Sequence, residues 1–322
     1  MMFAAALLFM VQDPLDKVEL AATPIKLLDD RLTLRMPEGS KVEARGHGIM
    51  GAPQPNTRET RVVWTSGDRK LVVMAYELFR TAGKDFEAQV RKEVGSWGLE
   101  ADLAARDVEG LRVCTVTPRK VDAAREAVYV LSSFAARKDG TVQNVSFYFN
   151  PKAAEDLDGC RALARKAAET IRAGERALAR EAGARVLLDL DGGKQCVVDL
   201  PEGFTVTFQK GPDFRVATVI KFVPLGDASP SFNAYFGHHP GYHHEREEGK
   251  PEVEKSAGTM LGQAIEWRAW TMPDPKKLFK EAILAVPGAD GLLAHVFLVA
   301  PDAASLQEVE VLAGKFRVAE KK

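Results

Sequence analysis

Across 322 residues, 46% are apolar and 28% charged, enough to bury a sizeable core and long enough for two domains. Lysine and arginine (44) almost cancel aspartate and glutamate (45), for a net charge of −1. That balance excludes the basic footprint of a nucleic-acid binder, so no nucleic-acid partner is expected.

The chain begins with an apolar run from Met2 to Val11, free of charge until Asp13. About ten apolar residues are too few to span a bilayer but match the core of a secretory signal. Residues 1–12 are therefore expected to be a signal peptide, although the usual basic leader is missing. The mature chain has no transmembrane segment and is expected in the periplasm or outside the cell. The next element, LTLRMPEGSKVE, reads as a strand ending in a Pro-Glu-Gly turn. GHGIMG (residues 46–51) satisfies GxGxxG, but Pro53 and Pro55 follow where a dinucleotide site needs a helix, so a glycine-rich turn is expected. VVWTSGDRKLVVMAY reads as a hairpin around Gly67-Asp68. In KDFEAQVRKEVGSW, the spacing of Phe86, Val90, Val94 and Trp97 predicts an amphipathic helix. Three strand-like segments follow, GLRVCTVTP, EAVYVLSSFAAR and VQNVSFYF, the last containing the sequon Asn144-Val145-Ser146. AAEDLDGCRALARKAAETIRAGE then predicts a helix, and RALAREAGAR a charged extension of it.

Several of these elements recur. Pro37-Glu38-Gly39 has a counterpart in Pro201-Glu202-Gly203, and Gly67-Asp68 in Gly226-Asp227. Ala75-Tyr76 matches Ala234-Tyr235, and Pro151 with Ala153-Ala154 matches Pro301 with Ala303-Ala304. AIEWRAWTM, EAILAVPG, LLAHVFLVA and the closing AASLQEVEVLAGKFRV supply the strands and helix of the second copy. The expected fold class is α+β: two tandem repeats, each an antiparallel β-sheet packed on one face by helices. The units are residues 19–174 and 185–322, joined by a helical, charged linker over 175–184. Cys114, Cys160 and Cys196 are widely spaced, form no CxxC pair and are expected to fill core positions.

A strand into P-E-G, a Gly-Asp hairpin, long later strands and a terminal helix entered through proline resemble the Mog1/PsbP-like domain, DcrB-like proteins among them. The resemblance covers nearly the whole mature chain, twice. It implies non-catalytic work: binding, assembly or chaperoning of a protein partner. It transfers no site residue.

The two copies differ most where the first has KDFEAQVRKEVGSW and the second GHHPGYHHEREEGKPEVEK. Pro240-Gly241 and Pro251 break helices there, so a polar loop is expected. It holds four of the six histidines. Imidazole suits zinc, copper and nickel, which makes His238, His239, His243 and His244, completed by Glu245, the candidate metal ligands. Against that, a loop supplies little of the supporting shell a metal site needs. The chain has no HExxH, GxSxG or P-loop. The leading expectation is an exported, non-catalytic binding or assembly protein. Metal binding through the histidine loop is the alternative, and hydrolysis a lesser one.

Overall fold

The computed structural model describes residues 14–43, 58–122, 125–178, 180, 182–211, 213–249, 251–273 and 276–321. The apolar N-terminal run and GHGIMG lie outside them. The first half contains β1 (Ile25–Leu27), β2 (Leu32–Leu34), β3 (Lys41–Glu43), β4 (Glu59–Ser66), β5 (Arg69–Thr81) and α1 (Phe86–Ser96). It continues with β6 (Ala101–Val108), β7 (Leu111–Pro118), β8 (Val128–Arg137), β9 (Thr141–Phe149), α2 (Pro151–Ala154), α3 (Leu157–Ala168) and β10 (Arg172–Ala173). The second half contains β11 (Gly183–Asp189), β12 (Lys194–Leu200), β13 (Phe204–Lys210), β14 (Arg215–Lys221), β15 (Val223–Pro224) and β16 (Ser231–Gly237). After it come β17 (Glu254–Met260), β18 (Gln263–Pro273), β19 (Lys276–Ala285), β20 (Leu293–Ala300), α4 (Ala303–Gly314) and β21 (Arg317–Glu320).

These strands form two large sheets, ordered β3-β4-β5-β9-β8-β7-β6 and β13-β14-β16-β20-β19-β18-β17. Two small sheets are ordered β1-β2-β10 and β11-β12-β21. Pairing within all four is antiparallel, and β15 lies parallel to β5 across the join between the halves. The expected α+β class, tandem repeats with helices packing one sheet face, is thereby overturned: the chain is mostly β, with four α-helices among the described residues. The error has a physical source. The long closing segment predicted as one helix breaks at Asp156, which caps α3 by accepting from Gly159 N at 2.9 Å, and its end becomes β10. Strands as short as β1 and β10 carry no readable periodicity, and nothing local in LTLRMPEGSKVE says that β2 pairs with them in a small sheet of its own. Among the described residues of RALAREAGAR none is helical, and Gly183–Arg185 opens β11.

A small sheet shares each core with a large one. In the first, Leu27, Leu32 and Leu34 join Leu71, Val73 and Phe147, with Cys160 and Leu163 of α3 beside them. In the second, Cys196 and Val198 join Phe232 and Val296, with Val309 and Leu312 of α4. Burying each large aliphatic or aromatic side chain is worth roughly 1.5–3 kcal/mol. All three cysteines are free and buried, as core positions require, and burial pushes their thiols up to about 11 or 12. Asn144 of the sequon is buried in β9.

The outer faces of the large sheets are covered differently. In the first half, α1 forms as its spacing predicts. Asp85 caps it by accepting from Ala88 N at 3.0 Å, and Phe86, Val90 and Val94 pack on Cys114, Val116 and Phe134. In the second half the described residues between β16 and β17 form no helix or strand, and this segment crosses the face instead. The halves meet at a bulge in β5, where Phe79 takes a positive φ of 54° and packs with Leu178, Ile220 and Phe222. Lys92 of α1 reaches Asp227 at 2.7 Å beside this seam.

Candidate functional site

Alternation along β19 sends Ala282 and Leu284 into the core and leaves Phe279 and Glu281 on the outer face. Phe297 lies directly across from Glu281, His295 diagonally on the same face of β20, and Trp270 across from Phe279. Trp270 stacks on Phe279 at 5.1 Å, and Phe279 on Phe297 at 5.6 Å. A face this apolar needs a cover, and a carboxylate within it needs partners.

The histidine loop supplies both. Glu281, with no solvent exposure, accepts four hydrogen bonds. The backbone N–H groups of His243 and His244 donate to it at 2.9 and 3.2 Å. The rings donate as well, His244 through Nδ1 and His295 through Nε2, both at 2.6 Å. Burial by itself would raise the Glu281 carboxyl. The hydrogen bonds from His295, His243 and His244 outweigh it and hold the group at about 2. An ionised carboxylate only accepts, so it places one proton on Nδ1 of His244 and one on Nε2 of His295.

The remaining loop side chains settle around this anchor. The His243 ring lies 4.3 Å from Phe297 and 5.0 Å from His295. Burial first, then the neighbouring His295, lowers its pKa. Tyr242 packs under the guanidinium of Arg268 at 3.8 Å. Glu245 stands 3.6 Å from Arg268 and 4.0 Å from His244 Nε2. His238 bonds through Nδ1 to the carbonyl of Gly291 at 3.0 Å, and His239 stays exposed. The five candidate metal ligands are thus distributed among separate contacts. Among the described residues, no group of three or more His, Cys, Asp or Glu is placed to hold a metal ion.

Between the loop and the β13–β14 turn lies an open cleft of about 650 Å³. Phe214 and Tyr235, stacked at 5.6 Å, form one wall, and His243, His295 and Phe297 line it as well. Asp213 and Arg246 stand on it too. Glu281 and His295 form a carboxylate–imidazole pair, and among the described residues no serine, threonine or cysteine lines the cleft beside it. On the loop's other flank, a second cleft of about 650 Å³ carries Glu247, Glu248, Glu252 and Glu254.

Sequence reasoning found the loop and missed its anchor. Glu281 lies in KKLFKEAILA, where alternation puts it on the face of Phe279 and opposite Ala282. That was the available signal: a carboxylate in register with aromatic residues. His295 sits apart from the four clustered histidines and carried no signal of its own. Among the described residues, no helix is long and apolar enough to cross a membrane. No family model, curated protein or solved structure matches the chain.

Proposed function

We propose that this is a non-catalytic binding protein that engages a protein partner through the cleft beside the histidine loop. One observation carries the reading. A loop of polar composition is held over an aromatic sheet face by a fully buried carboxylate with four donors, and it leaves a concave, aromatic-lined opening. A cleft of about 650 Å³ falls within the usual range of ligand sites and suits one or two side chains of a partner. The apolar run Met2–Val11 supports an exported location, so the partner is sought at the cell envelope.

The test is a thermal-shift comparison of the full chain with Phe214→Ala, which removes half of the stacked wall. Short peptides that bind the cleft are expected to raise the Tm of the parent protein by several degrees and to lose that effect in the variant. Equal shifts in both proteins, or none in either, would overturn the reading.

A further inference from the structure

Asp213, in the turn before β14, and Arg246, in the histidine loop, line the same cleft, and neither forms an ion pair with a described residue. Both are exposed. The Arg246 guanidinium is seated close against the loop backbone: a Cβ on Gly241 would come within 2.9 Å of its Nη2. Its own backbone N–H is tied to the carbonyl of His243, next to the Glu281 anchor. The cation is therefore held beside the part of the loop that Glu281 anchors. The wall of Phe214 and Tyr235 and the His243–Phe297 contact line the same opening. The neighbouring cleft bears one sign of charge, from its glutamates, whereas this one bears both.

An unpaired anion and an unpaired cation on one aromatic cleft define their complement. We propose that the cleft recognises a segment of a protein partner in which an aromatic or large apolar residue is flanked by one basic and one acidic side chain. The apolar residue lies against Phe214 and Tyr235. The acidic side chain is taken by the Arg246 fork, whose geometry matches a carboxylate, and the basic one by Asp213. Neither rim charge gives up a partner among the described residues to bind, so the charges act on selectivity and capture as well as affinity. The inference rests on the proposal that the cleft is the recognition element, and it names the chemistry recognised.

The experiment is calorimetric titration of the full chain with four probes. Acetyl-Lys-Phe-Asp-amide and its reversed order, acetyl-Asp-Phe-Lys-amide, carry both charges. Acetyl-Lys-Phe-Asn-amide lacks the anion and acetyl-Gln-Phe-Asp-amide the cation. One of the doubly charged peptides is expected to bind at least tenfold tighter than either singly charged one. Arg246→Glu should abolish that preference and transfer it to acetyl-Lys-Phe-Lys-amide. This gain of binding is a readout that loss of folding cannot imitate. Glu248→Gln, in the neighbouring cleft, should leave the affinities unchanged. If all peptides bind equally and Phe214→Ala weakens them together, the charge assignment falls and the cleft survives as a site. If none binds, both proposals fall. Free phenylalanine binding tighter than every peptide would overturn the partner-segment assignment in favour of a small zwitterion.

Discussion

Glu77 and Glu281 are both buried carboxylates in large sheets, with 2% and 0% exposure, and their surroundings drive them in opposite directions. Glu77, on β5, has Arg31 at 3.5 Å, Gln143 Nε2 donating at 3.0 Å and the Phe79 N–H at 3.5 Å. Burial dominates there and pushes its carboxyl up to about 7, against the opposing pull of Arg31 and the hydrogen bonds. Glu281 accepts four bonds, two of them at 2.6 Å, and is held at about 2. Burial alone does not decide the charge state of a carboxylate. The number and closeness of donors converging on it do. The same contrast separates the two outer sheet faces: α1 covers the first with apolar side chains, and the loop covers the second through a charge with polar donors.

The contrast between the two faces makes four effects measurable. The largest effect belongs to the helix-covered face. Phe134→Ala, beneath α1, should cost about 3–5 kcal/mol in urea unfolding, since it empties a fully buried aromatic site. A cost below 1 kcal/mol would show that α1 is not held by this packing.

The pH dependence of stability comes next, and its signs differ for the two glutamates. Glu281 titrates near 2 when folded and at its ordinary 4.5 when unfolded, so between those values the unfolded chain binds the extra proton. Its stabilisation is complete above pH 4.5 and is lost as pH falls toward 2, by about 3 kcal/mol. Glu77 is the reverse. The folded chain binds the extra proton between 4.5 and 7, so its contribution falls by a similar, roughly 3 kcal/mol as pH rises through that window. Difference curves for Glu281→Gln and Glu77→Gln, each against the parent, isolate the two limbs. Slopes of the same sign would end the comparison. His243, lowered by burial and His295, adds a loss of stability as pH falls below its unfolded value of 6.5.

A smaller effect is expected from Glu281→Gln at neutral pH, about 1.5–3 kcal/mol, the range for hydrogen bonds to a charged group. Amide exchange at His243 and His244 should accelerate while α1 keeps its protection; equal acceleration in both would contradict a local anchor. The smallest is Asp227→Asn. It removes the half-exposed contact with Lys92 across the seam and should change stability by less than about 1 kcal/mol.

Particular residues show how much was legible beforehand. Phe86, Val90 and Val94 declare a helix because a 3.6-residue period is written along one segment, and the structure places all three inward. The Pro-Glu-Gly turns declare themselves too, and Gly39 and Gly203 take φ of 79° and 85°, where a side chain would be strained. That the histidine segment runs as a loop was also readable, from Pro240-Gly241 and Pro251, and its described residues form no helix. The fold class was not. Its expectation weighed long helical patterns over short strands, and the sheet β1-β2-β10 is built from strands of only two or three residues. The candidate site was half legible: His243 and His244 belong to it, but as donors to a carboxylate, while Asp213, Arg246, Glu281 and His295 went unnoticed.

Elements whose information is local follow from residue order: the alternating strands, the glycine turns, helix α1 and the irregular course of the histidine segment. The meeting of Glu281, His295 and the His243–His244 backbone is a tertiary fact, because residues 38 and 52 positions apart are joined by strand register and by the crossing of a loop. Periodicity describes which face a residue occupies. It holds no record of what crosses that face, and the charge of a buried carboxylate depends on what does.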